Sequence, residues 1–299
     1  MSRLLYLLLA LALPFALGGC AGADDGDYGD DDDVADEEED DDDSDVGDDN
    51  DSPPANSTVS GRVIDEAGDP LAGIGVTCCS DERCINGTTA TDGTFTIENL
   101  TENTYVVENL GYPNNDILGW SKFFDFFAVG TDEDFTITRD LVVPQVTETV
   151  PDIIETDEEV TESLNSIVFE SGLQVDYDRV EAKLPFAAAS LDNPTLGVKA
   201  VPQANWPEGG LGAWTVIEAW AFAPFEFSME EEGDSFTVHV PLTEPLAAGT
   251  EVGLLWADYD EGILTETFME TTATLSDDGT MVSGDVHKLS LLLVATPGS

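Results

Sequence analysis

From Ser57 onward the chain is cut into short runs in which apolar residues recur at every second position, as at Val59, Gly61 and Val63 or Phe95 and Ile97. A period of two is that of a strand with one face buried and one face wet. Clusters of Gly, Asp, Asn and Pro separate the runs, at Glu66–Pro70, Asp92-Gly93, Asn99–Asn103 and Ser276–Gly279. Such residues supply the positive φ values and fixed φ values that tight turns need. Short strands spaced this closely predict antiparallel sandwiches, so the fold class is all-β. The Asp92-Gly93 turn reads as a hairpin joining Thr88–Thr91 to Thr94–Glu98, and Lys122–Val129 and Asp134–Val143 follow as strands. A second series runs through Ser166–Glu170, Gly172–Tyr177, Ala182–Pro185, Leu196–Val201, Trp214–Ala223, Ser235–Leu242, Glu251–Tyr259, Leu264–Leu275 and Met281–Val294. No stretch of ten residues makes a convincing amphipathic helix, and Ile153–Leu164 comes nearest. Apolar residues are 41% of 299, enough to fill real cores, and the length suits two domains of roughly 100–200 residues. The expected division is 57–143 and 144–299.

The first 56 residues follow different rules. Arg3 precedes an apolar run, Leu4 to Leu17, too short for a membrane span but suited to a signal peptide. The run ends Leu17-Gly18-Gly19-Cys20, which resembles the bacterial lipobox. That resemblance implies a signal peptide over 1–19, a diacylglyceryl group on the Cys20 thiol, and cleavage just before it. Ala21 in the next position leans toward the outer membrane of the bacterial envelope. Residues 24–51 then hold 19 acids and no base. Such a segment cannot bury enough apolar surface to offset chain entropy, so 20–56 is expected to be a lipidated, disordered acidic tether. It lacks the D-x-D-x-D-G loop that places oxygens around calcium, so any cation binding there would be diffuse.

The charge excludes some partners. Removing those 19 acids from 63, and Arg3 from 9 bases, leaves 44 acids against 8 bases, a net charge near -36. No basic patch is available for phosphate, so nucleic acid is excluded. Basic envelope proteins would be attracted.

Two resemblances to known families cover parts of the chain beyond Ser57, roughly residues 57–107 and 215–295. VSGRVIDEAGDPLAGIGVTC, followed by TTATDGTFTIENLTENTYVV, resembles the carboxypeptidase regulatory-like domain, a transthyretin-like β-sandwich. It is carried by Gly61-Arg62-Val63, Gly68-Asp69-Pro70-Leu71, Gly73 to Val76, Thr91–Phe95, and Leu100 before Tyr105. The pattern departs where Asn103-Thr104 stands before the Tyr, in the cysteine loop, and in the long Gly111–Gly119 loop. The resemblance implies a non-catalytic module; the zinc peptidase half, with its H-x-x-E motif, is absent. Phe222-Ala223-Pro224 ahead of Phe227, Pro245–Leu254, and Asp277–Thr280 with Val286-His287 resemble the Ig-like sandwiches near the ends of bacterial surface proteins. Lys288-Leu289-Ser290 replaces the Phe-Ser at which some relatives cleave themselves, so no cleavage is expected.

Cys78, Cys79 and Cys84 would lie in an oxidising compartment. Vicinal cysteines in a strand face opposite ways, and one bridge is expected from Cys84 to Cys78 or to Cys79. The remaining thiol would be buried, free or intermolecular. The C-C-x₄-C spacing is not that of zinc, so no metal or other cofactor is expected.

Catalytic signals are missing. His239 alternates with Val238 and Val240, which puts it on a polar strand face. His287 could pair with Asp285, yet no G-x-S-x-G elbow supplies a nucleophile. Asp258, Asp260 and Glu261 around Gly262 could hold calcium, a spacing that so acidic a chain reaches by chance. Trp214, Trp220 and Trp256 read as core anchors. Trp206, in a loop between Asn205 and Pro207, is the best exposed aromatic, and exposed Trp rings stack on sugars. The leading expectation is a lipid-anchored, non-enzymatic surface protein with a structural, adhesive or recognition role. The alternatives are a carbohydrate-binding module at Trp206 and, further off, a cation-binding protein.

Overall fold

The period-two runs do become strands. The computed structural model describes residues 56–298 apart from 156–158, 161, 192, 231–232, 261–262 and 265–267. The leader, Cys20 and the acidic segment lie outside the described residues.

The first eight strands are β1 (Ser57–Ile64), β2 (Gly75–Cys79), β3 (Cys84–Thr88), β4 (Thr94–Leu100), β5 (Asn103–Asn109), β6 (Phe124–Val129), β7 (Asp134–Thr136) and β8 (Leu141–Val142). One sheet runs β4-β1-β7 with β8 also on β1, and the other runs β3-β2-β5-β6. Their facing sides close on Val59, Val63, Val76, Phe95, Ile97, Tyr105, Val107 and Leu141. The ladders are not wholly antiparallel, because β1 pairs parallel with both β7 and β8.

The Asp92-Gly93 turn exists but is not a hairpin. β3 ladders with β2 and β4 with β1, so the turn carries the chain from one sheet to the other. Gly93 sits at φ 80°. A Cβ there would stand 2.4 Å from the Val63 carbonyl oxygen. The D-G pair marks the reversal correctly, and the partner of the following strand is decided by which core Phe95 and Ile97 fill.

The remaining strands are β9 (Glu148–Pro151), β10 (Leu164–Val168), β11 (Gln174–Asp178), β12 (Ala182–Lys183), β13 (Thr195–Ala200), β14 (Trp214–Ala223), β15 (Phe227–Met229) and β16 (Phe236–Pro241). They continue as β17 (Val252–Trp256), β18 (Tyr259–Asp260), β19 (Ile263–Leu264), β20 (Met269–Leu275), β21 (Met281–Val286), β22 (Lys288–Leu289) and β23 (Leu291–Pro297). Ten of them form one sheet in the order β10-β11-β16-β21-β20-β17-β23-β14-β13-β9. Its two halves supply one core: Ile167, Val175, Tyr177, Phe236 and Val238 from one, Leu196, Val198, Phe222, Leu254 and Leu292 from the other. The sheet therefore folds over on itself as a sandwich. A small sheet, β12-β15-β22, lies beside it. Ile153 is fully buried in extended chain after β9, and no helix forms among the described residues of 153–164. The expected run Met281–Val294 is broken at His287 and Ser290 into three strands.

A third core joins the two sets of strands. Phe124, Phe126, Val106 and Cys79 from the first set pack against Ala219, Ala221, Phe225, Leu255, Leu291 and Leu293 from the second. Phe124 stacks on Phe225 with ring centroids 5.2 Å apart, and Phe126 meets Phe268 at 5.1 Å. Strands β2, β5 and β6 are thus largely covered on both faces, while β3 at the edge of their sheet keeps one face exposed. Asp51–Ser299 forms one compact unit.

Candidate functional site

The cysteines serve the fold. Cys79 and Cys84 are cross-strand partners on β2 and β3 and form a disulfide. Cys78 points the other way, into the first core, and is a buried free thiol. Burial pushes its pKa far above the ordinary thiol range, which leaves it unreactive. Among the described residues no group of three His, Cys, Asp or Glu side chains is placed to hold a metal. Asp258 is paired with Lys288, and the side chains from 259 to 262 lie outside the described residues.

The histidines do not pair as the sequence suggests. Asp285 accepts a hydrogen bond from Thr237, on the neighbouring strand, and not from His287, which is exposed. His239 lies between Asp176, at 3.1 Å from Nε2, and Ser283, at 2.7 Å from Nδ1. All three sit on adjacent strands β11, β16 and β21, on the outer face of the sheet. Desolvation opposes ionisation of Asp176, but hydrogen bonds from Ser166, Gln174 and His239 outweigh it and lower its pKa. The arrangement is a row of cross-strand polar pairs of the kind that stabilises a wet sheet face.

The aromatic residues sort by layer. Trp220 and Trp256 are buried in the second core. Trp214 is half-buried, donates from Nε1 to Glu270 at 2.6 Å, and covers Gly253 so closely that a Cβ there would be 2.8 Å from its ring. Trp206 is half-buried, not free in solvent as its loop context suggests. A 3-10 turn, Gln203–Asn205, places it, and its Nε1–H donates to the Val201 carbonyl at 2.8 Å. Part of the ring packs on the third core, and the residue also lines a cleft of about 580 Å³.

The rest of that cleft depends on an irregular strand. Facing β23, Val216 pairs with Ala295 and Glu218 with Val294, so Ile217 is an extra residue, a β-bulge in β14. A regular strand sends alternate side chains to opposite faces. The bulge breaks that alternation, and Val216, Ile217 and Glu218 all line the same cleft. Leu242, Thr243, Glu244 and Leu246 form the opposite wall. That wall is tied down: the Thr243 N–H donates to Glu218 Oε1 at 2.6 Å, and the Leu242 and Leu246 N–H groups donate to Thr280 and Gly279. The side chains of Gln203 and Glu244 make no hydrogen bond among the described residues. The cleft therefore offers a fixed aromatic surface, aliphatic walls, and uncommitted amide and carboxylate groups at its rim. No Lys, Arg or His lines it. Sequence reasoning singled out Trp206 but not the residues that line the cleft with it, because a bulge leaves no mark in the apolar pattern.

No family model matches the chain, and no curated protein does. Among solved structures, similarity is found to a DUF3823 family protein from Bacteroides ovatus, at 10% identity and a TM-score of 0.23, covering 81% of this chain and 96% of that one. A candidate carbohydrate binding protein from Bacteroides uniformis is similar at 9% identity and a TM-score of 0.23, over 81% of this chain and 79% of the other. Neither likeness is close enough to carry a fold or a function across.

Proposed function

We propose that this chain is a lipid-anchored, non-enzymatic recognition protein of the bacterial cell envelope, and that it holds a neutral or amino sugar in the Trp206 cleft. The bulge at Ile217 carries the reading, since it brings three consecutive residues of β14 into a cleft that Trp206 also lines. Aromatic faces suit the C–H face of a sugar, and the side chains of Gln203, Glu218 and Glu244 suit its hydroxyl groups. Two acids and no base exclude an acidic sugar from this cleft. The greasy leader ending at Cys20 and the acidic run behind it supply an anchor and a spacer.

A glycan array on the full chain is the first test. Trp206→Ala is expected to weaken binding of the selected glycan by about 2 kcal/mol, roughly thirty-fold. Trp206→Phe, which keeps a ring, should retain part of it. Unchanged affinity in a folded Trp206→Ala protein would dispose of the reading. The anchor is tested separately. Mass spectrometry of the membrane-extracted chain should show an acylated Cys20 as its first residue, and Cys20→Ser should move the protein to the soluble fraction.

A further inference from the structure

The small sheet β12-β15-β22 sets Lys183, Ser228 and Lys288 in one row. Lys183 is in register with Ser228, and Ser228 with Lys288. Residues directly opposite across a ladder project to the same face, and neighbouring strands lie about 4.8 Å apart. Two ammonium groups are thus based about 10 Å apart with a hydroxyl between them, a separation their side chains can close over a bound group. All three residues line one cleft of about 620 Å³, with His287, Glu226 and Glu230.

The charge pattern makes this row exceptional. Of the four lysines, Lys122 pairs with Glu108, Lys199 with Glu66 and Lys288 with Asp258. Lys183 has no acid partner among the described residues, although acids outnumber bases 63 to 9 in the sequence. Three residues along the chain stands Phe186, 98% exposed. It lies where the polar cleft meets a second, apolar one of about 260 Å³, lined by Leu110, Tyr112, Ile117 and Phe225.

We infer that this face is a second ligand site, independent of the Trp206 cleft, for a sugar that carries one carboxylate. The acid group sits between Lys183 and Lys288, and the ring lies against Phe186. Ser228, His287 and Glu230 offer hydrogen-bonding groups to the hydroxyls of such a ligand, which an apolar acid could not use. Glu226 and Glu230 at the same cleft, and the negative charge of the body, limit the ligand to a single charge and exclude a polyanion. The two clefts then have opposite preferences. The Trp206 cleft has acids and no base, and this one sets two lysines beside its acids.

Isothermal titration of the full chain tests the site with three probes: a neutral oligosaccharide ending in glucuronic acid, the methyl ester of that acid, and the same oligosaccharide ending in glucose. The acid should bind at least ten-fold more tightly than either of the others. Lys183→Ala should erase that preference, Lys183→Arg should keep it, and Phe186→Ala should weaken the acid probe without removing the preference. Lys183 and Phe186 are exposed, so none of these variants should disturb the fold. Trp206→Ala should leave the acid preference intact even if the first site proves empty. Equal binding of acid and ester, or a preference that survives Lys183→Ala, would overturn the inference. So would competition by vesicles of anionic phospholipid, which would reassign the face to a membrane surface.

Discussion

Lys122→Ala is expected to destabilise the folded unit by about 3–5 kcal/mol. Lys122 Nζ is 2.8 Å from Glu108 Oε2, and the Glu108 side chain is 2% exposed. The ammonium also stands over the Phe225 ring, 4.7 Å from its centroid. Removing the lysine leaves a desolvated carboxylate without its counter-charge and strips a cation from the aromatic face. Nearby, burial raises the pKa of Glu226 while Lys122 and Lys288 pull it down, so losing Lys122 harms a second carboxylate too. The double variant Lys122→Met with Glu108→Gln removes both charges and should lie much closer to the parent. Urea unfolding measures both. The single variant should lower the midpoint with an unchanged slope, and a loss under about 1 kcal/mol would show that the pair is not desolvated as described.

Phe124→Ala should cost a similar amount, about 3–5 kcal/mol, through the third core. Phe124 is 2% exposed and stacks on Phe225 across the junction between the two sets of strands. Its loss opens a cavity that neither sandwich can close alone, because each wall belongs to a different one. The expected result is a large fall in melting temperature, reported alike by Trp120 on the first side and by Trp220 and Trp256 on the second. A Phe124→Ala protein as stable as its parent would mean that the two faces merely touch.

The strands were legible in the residues because a period of two survives wherever one face is wet, as in β4, where Phe95 and Ile97 are buried between exposed neighbours. What joins the two sets of strands was not read from the residues, where two separate sandwiches were expected, although a different signal for it is present. Phe123–Phe127, Val252–Trp256 and Leu291–Ala295 are apolar with few breaks and are buried throughout. A strand without alternation is covered on both faces, and these runs mark the third core. The vicinal cysteines follow the same logic, with Cys78 in the first core and Cys79 in the third. Strand pairing was less legible. The chain reverses at Asp92-Gly93, but the choice between a hairpin and a crossing depends on contacts far along the sequence. The Trp206 cleft was half legible: the aromatic residue is visible, whereas the bulge at Ile217 and the wall at 242–246 arise only from pairing. Phe186 carries no sequence mark at all, since its meaning comes from the in-register row of Lys183, Ser228 and Lys288 beside it.

The most direct test of the account is an NMR titration of the full chain, uniformly labelled with nitrogen-15, with the strongest neutral glycan from the array. Saturable shifts at the Trp206 Nε1–H, together with the amides of Ile217 and Thr243, are the predicted result, while Trp220 and Trp256 stay still. A glycan that binds while the Trp206 indole signal does not move would contradict it.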